Sequence, residues 1–448
     1  MELLKSNKGN HKIALKGYTY TIKKICQSII RWKCSKKSSL KCPAMLITNL
    51  KMKKIIRFEE EHSHSANKGE IGAMKIKQTI KDCSLQTCNN SGQIFAQAVQ
   101  NLPKEIFIEL PSEDSIKRSI RNQRSSLNPK KPNSLQELVI EYDWTRCGNE
   151  RFLLKDNGLE SSERIIIFAL DSSLEQLANA DTWFIDGNFG LAPEHFLQLY
   201  VIRIQVNEIF ITPVFCLLER KTQNTYEEMF KIILNECNNR ELYPDPLYFN
   251  VDFEIAVHKA AKIVFGEQIL IRGCFYHLSQ STYRKIQNLG LIKRYREDEN
   301  FNLYCAMMDG LAFLPVDKVC EGMNYLKQNC PTGAEDLLQY FDENYVGGMF
   351  RKVKKTNNII LRRIPPLFVP ESWNVNITTL STNPHRTNNA CEGWNNRFSH
   401  LVGIKHPSIW KLLTKMCQEV GTDKARMGLA ELGEINRQKT KAGKKIEV

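Results

Sequence analysis

Three acidic residues stand where a carboxylate is hard to explain as ordinary surface or core. Asp186 follows the apolar run 182–185 and precedes a glycine, Asp252 closes the apolar run 247–251, and Glu392 lies in an asparagine-rich segment. Apolar, strand-like runs are usually buried, and burying an unpaired carboxylate is costly unless it is hydrogen-bonded or binds a metal. Because hard cations prefer oxygen ligands, we expect the three acids to share a pair of divalent ions, Mg²⁺ or Mn²⁺.

A second set of candidate ligands lies near the N-terminus and consists of Cys34, Cys42, His62 and His64. Two thiolates and two imidazoles complete a tetrahedral zinc site. The two histidines are two residues apart, which puts both rings on one face of an extended segment. The surrounding pattern predicts four short strands, at residues 13–20, 29–34, 44–48 and 55–58. We therefore predict a small β-rich domain that binds Zn²⁺.

The positive charge of the chain is concentrated in the same region. The whole sequence has 63 Lys and Arg, 49 Asp and Glu and a net charge of +14, and residues 1–57 contain 15 of the basic residues with a single acid. A concentrated basic module favours a polyanion partner, because phosphate neutralisation releases condensed counterions. The alternative is a solvated basic tail. The candidate DNA contacts are Lys33, Lys36, Lys37, Lys41, Lys51, Lys53, Lys54 and Arg57.

The length and composition of the chain limit the remaining possibilities. With 448 residues the sequence is long enough for about three domains. The longest apolar runs, 165–170 and 209–218, are much shorter than the ~20 residues of a membrane helix, and no apolar signal core is present at the N-terminus. We expect a soluble, intracellular protein without a membrane partner, in which the 14 cysteines are reduced thiols.

The second half of the chain alternates strands and helices. Five strands are predicted. The first ends at Asp186, the second and third cover 197–206 and 209–218, the fourth ends at Asp252, and the fifth covers 269–274. Helices are predicted before and after the fourth strand. Pro213 cannot donate to a ladder, so the third strand is expected at the sheet edge. The order βββαβαβ resembles the ribonuclease H-like arrangement, in which the first and fourth strands are neighbours. That arrangement would bring Asp186 and Asp252 together, and Glu392 would come from a later helix.

Residues 9–64 resemble the FLYWCH-type zinc finger, a DNA- or protein-binding module. The resemblance rests on Gly17-Tyr18-x-Tyr20, Trp32-x-Cys34, Cys42-x-Ala44 and His62-x-His64. One departure is the segment 26–30, which lacks the turn glycine expected between the early strands.

Residues 165–410 are similar to Mutator-like element (MULE) transposases of the DDE superfamily. The motifs are Asp186-Gly-Asn-Phe189, Asp252-Phe-Glu-Ile-Ala-Val257, Cys274-Phe-Tyr-His277 and Asn388-Asn-Ala-Cys-Glu392. Asn188 stands where the family usually has a threonine, and a second Cys/His finger after the glutamate is missing. The resemblance implies that Asp186 bridges two metal ions, with Asp252 and Glu392 each on one. The role of Cys274 and His277 stays open between a structural pair, metal ligands and DNA contacts.

The two resemblances together imply an α/β protein whose domains follow in a defined order. The domains are a zinc finger at 1–70, a linker and helical region at 71–164, the first part of the ribonuclease H-like core at 165–280, a helical insertion at 281–384, the last core helix with the third acid at 385–410, and a helical, basic tail at 411–448.

The resemblances imply a nuclear DNA transposase, which binds DNA through the finger and cleaves and joins phosphodiesters. Whether the chain forms a homo-oligomer on DNA stays open. The alternative is a transposase-derived regulator that binds DNA without catalysis.

Overall fold

The computed structural model describes residues 1–6, 9–87, 89–355, 358–380 and 389–432. The described residues form two compact units, which divide between Lys130 and Lys131. None of the described helices combines the length and the apolar character that a membrane-spanning segment requires.

The first unit begins with a six-stranded antiparallel sheet in which every strand pairs with its neighbour in sequence. The strands are β1 (Glu2–Lys5), β2 (His11–Leu15), β3 (Tyr18–Ile25), β4 (Ile29–Cys34), β5 (Met45–Asn49) and β6 (Ile55–Glu59), with the short helix α1 (Lys37–Leu40) between β4 and β5. The predicted strand 13–20 is therefore two strands. The chain reverses at Lys16 and Gly17, which both have a positive φ, and glycine adopts this backbone conformation without steric cost.

One face of this sheet buries a small core that includes Tyr20, Trp32 and Leu46, each with no exposed surface. Trp32 also donates its indole N–H to the Thr48 hydroxyl at 2.9 Å, so its polar atom is satisfied inside the core. The β3–β4 turn needs no glycine, because the N–H of Cys26 closes it by donating to the carbonyl of Ile29 at 2.9 Å. The lack of a glycine in segment 26–30 is therefore compatible with a β3–β4 hairpin.

Four helices complete the first unit. They are α2 (Lys68–Gln86), α3 (Ser91–Val99), α4 (Lys104–Phe107) and α5 (Glu113–Ser125). A core shared by α2, α3 and α5 is formed by Ile80, Ile94, Ile116 and Ile120. The start of the region that we expected to include a linker is thus a 19-residue helix. Asn67 caps this helix by accepting from the N–H of Glu70, a local signal that the glycine-containing composition obscured.

The second unit is built on a seven-stranded mixed sheet. Its strands are β9 (Leu153–Asp156), β10 (Ile165–Phe168), β11 (Thr182–Asn188), β12 (Gln198–Val206), β13 (Ile209–Leu218), β14 (Tyr248–Val251) and β15 (Leu270–Gly273), after the small hairpin β7 (Arg146–Cys147) and β8 (Glu150–Arg151). The order across the sheet is β15-β14-β11-β12-β13-β10-β9. Strands β14 and β15 run parallel to β11, whereas all other neighbours are antiparallel.

The predicted neighbour relation of the first and fourth strands is confirmed, because β11 pairs with β14 in parallel. The predicted edge position of β13 is wrong, since β13 lies between β12 and β10. Pro213 is tolerated there for two reasons. It lies at a break in the β12–β13 register, and β10 pairs with β13 only from Phe215 onward, so no ladder donor is needed at residue 213.

Helices cover both faces of this sheet. They are α6 (Asp171–Ala178), α7 (Gln223–Asn238) and α8 (Ile255–Phe265) on one face, and α16 (Asn389–Val402) and α17 (Ile409–Glu431) on the other. Side chains alternate between the faces of a strand. Trp183 and Ile185 pack with α7 and α8, so Asp186 points to the opposite face, towards α16.

A mainly helical segment is inserted between β15 and α16. It contains α9 (Phe275–Asn288), α10 (Ile292–Glu297), α11 (Glu299–Gly310), α12 (Val319–Gln328), α13 (Glu335–Phe341), α14 (Pro370–Trp373) and α15 (Asn376–Leu380). Its core is separate from the sheet core and is centred on Phe301, Phe341 and Trp373. The segment also contains an unpredicted antiparallel ribbon, β16 (Met349–Lys355) and β17 (Asn358–Ile364). Exposed hydrophobic side chains hid this ribbon, because they break the alternation expected of a strand.

Candidate metal centres

The carboxyl ends of the three parallel strands β11, β14 and β15 form one edge of the larger sheet. Phe184 pairs with Asn250, so Asp186 and Asp252 occupy adjacent positions two residues further along. Val251 pairs with Gly273, which puts Cys274 beside Asp252 in the same way. The register alone therefore brings two predicted catalytic acids and one predicted accessory residue to the same edge.

Asp186 is largely buried at this edge, with 8% of its surface exposed. Burial, and then the charges of Asp252 and Glu392, raise the pKa of Asp186 to about 7 against the opposing effect of two hydrogen bonds. The backbone N–H of Gly187 donates to Oδ1 at 2.9 Å, and the Asn395 side chain donates to Oδ2 at 2.6 Å. A cation would relieve the repulsion between these acids. The ligand atoms of the three acids do not form one of the clusters within 4.8 Å that the described residues contain.

Glu392 reaches the edge from the first turn of α16 and is half-buried. Burial raises the pKa of Glu392, and a hydrogen bond from the Cys274 thiol to Oε1, at 3.7 Å, opposes that rise. The rotation of α16 is fixed from its other side. Trp394 donates to the fully buried Glu419 of α17 at 2.8 Å, and Arg397 forms an ion pair with the same carboxylate. Asn388, which precedes α16 in the sequence motif, lies outside the described residues.

Asn395 is a site residue that the sequence reasoning missed. Besides its bond to Asp186, it accepts a hydrogen bond from the Asn188 side chain at 3.0 Å, and Asn188 in turn accepts from the N–H of Leu191 at 3.0 Å. Residues three apart on a helix share a face. The spacing of Asn395 from Glu392 could therefore have revealed it. Asn188, the departure from the threonine of the motif, has a defined role in this chain.

Glu254, two residues beyond Asp252, is half-buried and accepts a hydrogen bond from the Tyr226 hydroxyl at 3.1 Å. Burial and the nearby Asp252 raise the pKa of Glu254. The end of β14 is also held by His258, whose Nε2 donates to the carbonyl of Asp252 at 2.8 Å.

Cys274 and His277 come together with Glu392. One potential ligand atom from each of the three lies within 4.8 Å of the others. Burial lowers the pKa of His277, against the opposing charge of Asp252. Glu392 thus lies in a Cys/His/Glu cluster, and its charge also raises the pKa of Asp186.

The four predicted zinc ligands of the first unit form the other cluster. Their ligand atoms also lie within 4.8 Å of one another. Cys34 Sγ is 3.2 Å from His64 Nε2, and Cys42 Sγ is 3.3 Å from His62 Nδ1. Each thiolate therefore approaches a defined nitrogen of one imidazole, which is the arrangement that a tetrahedral zinc ion requires.

The remaining nitrogens of both histidines are occupied by protein groups. The second nitrogen of His62, Nε2, is 2.8 Å from the Tyr20 hydroxyl, and Nδ1 of His64 is 3.0 Å from the carbonyl of Ser65. Such outer partners fix the tautomer and orient the ring towards the metal. Tyr18 also stacks on His62, with the ring centroids 3.5 Å apart. Burial and then the neighbouring His64 lower the pKa of His62, which favours the neutral imidazole that binds metal.

The match of this segment to a known family agrees with the geometry. Residues 3–64 are a FLYWCH zinc finger domain. The match covers the whole ligand set and extends to β1, but it concerns only this part of the chain. A comparison with curated proteins found no sequence similar to this chain.

The FLYWCH finger presents basic side chains on the face of its sheet opposite the buried core. Lys33 pairs with Thr21 and Met45, and Arg31 pairs with Ile47, which also pairs with Arg57. The same face includes Lys12 and Lys24, which we had not selected; alternation along the strands could have identified them. The other predicted DNA contacts lie elsewhere: Lys36, Lys37 and Lys41 in and beside α1, and Lys51, Lys53 and Lys54 between β5 and β6.

Acidic neighbours reduce the net charge of this finger. Glu59, Glu60 and Glu61 follow the basic segment directly, so residues 1–64 contain 15 Lys and Arg and four acids. Arg57 lies 3.1 Å from Glu59, and Lys36 lies 3.4 Å from Glu70. Lys33 and Arg31 are thus the stronger candidates for phosphate contacts on the outer face.

Proposed function

We propose that the chain is a MULE-like DDE transposase, which binds DNA through its FLYWCH finger and cleaves and joins DNA phosphodiesters at the carboxylate edge. The observation that carries this proposal is the parallel pairing of β11 with β14. It sets Asp186 and Asp252 side by side at the edge that Glu392 approaches from α16. The charges of Asp252 and Glu392 both act on the buried Asp186, and this repulsion favours a divalent cation.

The strand order supports a ribonuclease H-like core. From β13 to β15 the sheet runs third, second, first, fourth and fifth in chain order. Neighbours among β13, β12 and β11 are antiparallel, and β14 and β15 run parallel to β11. This is the neighbour relation that the βββαβαβ pattern implied. A helical segment separates the last strand from the helix of the third acid, as the resemblance to MULE transposases also implies.

In this function Asp186 would hold both ions, and Asp252 and Glu392 would each hold one. Bound there, two Mg²⁺ or Mn²⁺ ions would activate a water or a 3′-hydroxyl and stabilise the leaving oxygen of an in-line displacement. Asn395 and the N–H of Gly187 orient the Asp186 carboxylate through their two hydrogen bonds. The ion pair between Arg397 and the buried Glu419 holds α16, and with it Glu392, against the sheet.

The orienting role of Asn395 leads to a prediction. In Asn395→Ala, Asp186 loses one of its two donors and Asn188 loses its acceptor, while the three acids remain. Loss of such an outer partner typically lowers metal affinity or activity by about 10- to 100-fold. We expect the Mn²⁺ concentration for half-maximal cleavage to rise by that order. The control is Asn396→Ala, an exposed neighbour in the same helix, which should behave as wild type.

DNA binding by the finger is proposed to use the outer basic face. In the triple variant Lys24→Gln, Arg31→Gln, Lys33→Gln, the strands keep their pairing and the zinc ligands are unchanged. We expect weaker binding to every DNA sequence and a smaller salt dependence, because each lost phosphate contact removes about 0.9 from the slope of log K against log salt. Titrations at several salt concentrations measure both quantities.

The matched control removes three exposed charges from the second unit, in Lys155→Gln, Lys231→Gln, Lys262→Gln. It should keep the wild-type affinity and slope. If the control and the finger variant weaken binding equally, the finger face is not the binding surface. Deletion of residues 1–64 should remove most of the affinity, and unchanged binding after that deletion would contradict the assignment as well.

A second function remains in competition with the first. A DNA-binding regulator derived from a transposase would keep the finger, and it would place the chain in the nucleus without cleavage. The family match, which covers only the finger, is the observation that favours it. The hydrogen bonds that link Asn188, Asn395 and Asp186 favour the enzyme, because they orient a carboxylate that a regulator would not use. Cleavage assays separate the two.

A further inference from the structure

We propose that Cys274, His277 and Glu392 bind a single transition-metal ion of the Zn²⁺ class, distinct from the finger zinc and with one coordination position open. This site goes beyond the proposed DNA chemistry. The site depends only on the ligand geometry at the sheet edge, so it is independent of whether the chain cleaves DNA.

The backbone brings the three ligands together from two helices. Cys274 directly follows β15 as the N-cap residue of α9, and His277 lies in the first turn of that helix. Side chains three residues apart share a helix face, so the Cys-x-x-His spacing directs both ligands to the same side. Glu392 approaches from the first turn of α16, and its Oε1 is 3.7 Å from Cys274 Sγ. All three ligand atoms lie within 4.8 Å of one another.

The burial of these groups indicates a built site. Cys274 is 3% exposed, and Nδ1 of His277 is buried without a hydrogen-bond partner among the described residues. Buried polar groups are nearly always satisfied by protein or solvent, and an orphaned one requires an explanation. A bound cation would provide a partner for this histidine. The start of α9 also favours an anion at Cys274, because unpaired N–H groups and the helix dipole point there.

The donor types select the metal. A thiolate and an imidazole suit Zn²⁺ and other late transition ions, whereas Mg²⁺ prefers oxygen donors alone. Three protein ligands leave one position of a tetrahedral ion open, which is the pattern of zinc sites that also bind water or substrate. Such an ion would tie α16 to α9 and hold Glu392 at the sheet edge, beside Asp186 and Asp252.

The test is the metal content of the full chain without DNA, after exhaustive dialysis of zinc-saturated protein. We expect about two zinc ions per wild-type chain, one in the finger and one at this cluster. Cys274→Ser and Glu392→Gln should each lose one ion and keep the other. Glu392 is half-buried, so its variant is expected to fold even if the cysteine variant does not. Cys320→Ser, an exposed cysteine elsewhere, should keep both ions.

Replacement of zinc by Co²⁺ gives a second readout, because thiolate ligands produce a charge-transfer absorption. Cys274→Ser should lower that absorption by about a third, since one of three metal-bound thiolates is lost. One zinc ion per wild-type chain, or a cobalt spectrum unchanged in Cys274→Ser, would overturn the inference. A chain that holds the second ion but does not cleave DNA would contradict only the proposed function, and a cleaving chain without that ion would contradict only the inference.

Discussion

Asp186→Asn is expected to lower the rate of DNA cleavage by about three orders of magnitude or more while DNA binding persists. The substitution keeps the shape of the side chain but removes the charge that would hold two metal ions. Asp186 is the most buried of the three acids and feels the charges of both others, so no neighbouring group can take its place. Single-turnover cleavage in saturating Mg²⁺ or Mn²⁺ measures the loss, and gel-shift titration measures binding.

The same assay can separate a metal site from general damage. Asp252→Asn and Glu392→Gln should be as inactive as Asp186→Asn, and double variants should be no worse than single ones, because one loss already disrupts the site. The matched control is Asp181→Asn, the same chemical change at an exposed position immediately before β11, at the opposite end of that strand. If Asp181→Asn is as inactive as Asp186→Asn, the assignment of the acids is wrong.

Removal of zinc from the finger is expected to unfold residues 1–64. The four ligands join β4, the segment before β5 and the segment after β6, and few large buried side chains besides Tyr20 and Trp32 support this sheet. In zinc-finger peptides metal binding contributes about 10–16 kcal/mol to folding, more than a small core can replace. Amide hydrogen exchange of the full chain should show that chelation, or Cys42→Ser, removes protection from β4 and β5 but not from β11 and β12.

A free cysteine of the same sheet provides the control for that experiment. Cys26 lies in the β3–β4 turn and is not among the clustered ligands, so Cys26→Ser should retain zinc and protection. Protection of β4 that survives complete loss of zinc would show that the finger folds without metal.

Local patterns in the sequence were sufficient for much of the fold. The zinc ligands and β4 followed from spacing and periodicity, because each depends on a few adjacent residues. The pairing of β11 with β14 followed from the resemblance of the strand order to the ribonuclease H-like arrangement. The change from apolar residues to glycine predicted a strand that ends at Asp186, but β11 continues to Asn188, which still pairs with Leu199. Asn395, the partner of Asp186, was accessible in principle, since it lies one helical turn from Glu392.

Other features depend on contacts that a single sequence does not display. The interior position of β13 is possible despite Pro213 because β10 is short. β10 does not reach residue 213, so no neighbouring strand needs an N–H there. Glu419 looks like an ordinary surface acid of an amphipathic helix, yet it is fully buried between Trp394 and Arg397. The convergence of Glu392 with Cys274 and His277 spans 118 residues, and only the packing of α16 on the sheet edge reveals it.

The central claim is that the acids at the β11–β14 edge support metal-dependent cleavage of DNA. The most direct measurement is strand cleavage by the full chain of duplex DNA that carries the sequences on both sides of its gene, with Mg²⁺, with Mn²⁺ or with EDTA. We expect the wild-type chain to produce strand breaks that require the divalent ion, and we expect these breaks to disappear in Asp186→Asn. A wild-type chain that binds this DNA with its finger zinc in place but leaves it uncut in both metals would contradict the claim and favour the regulator.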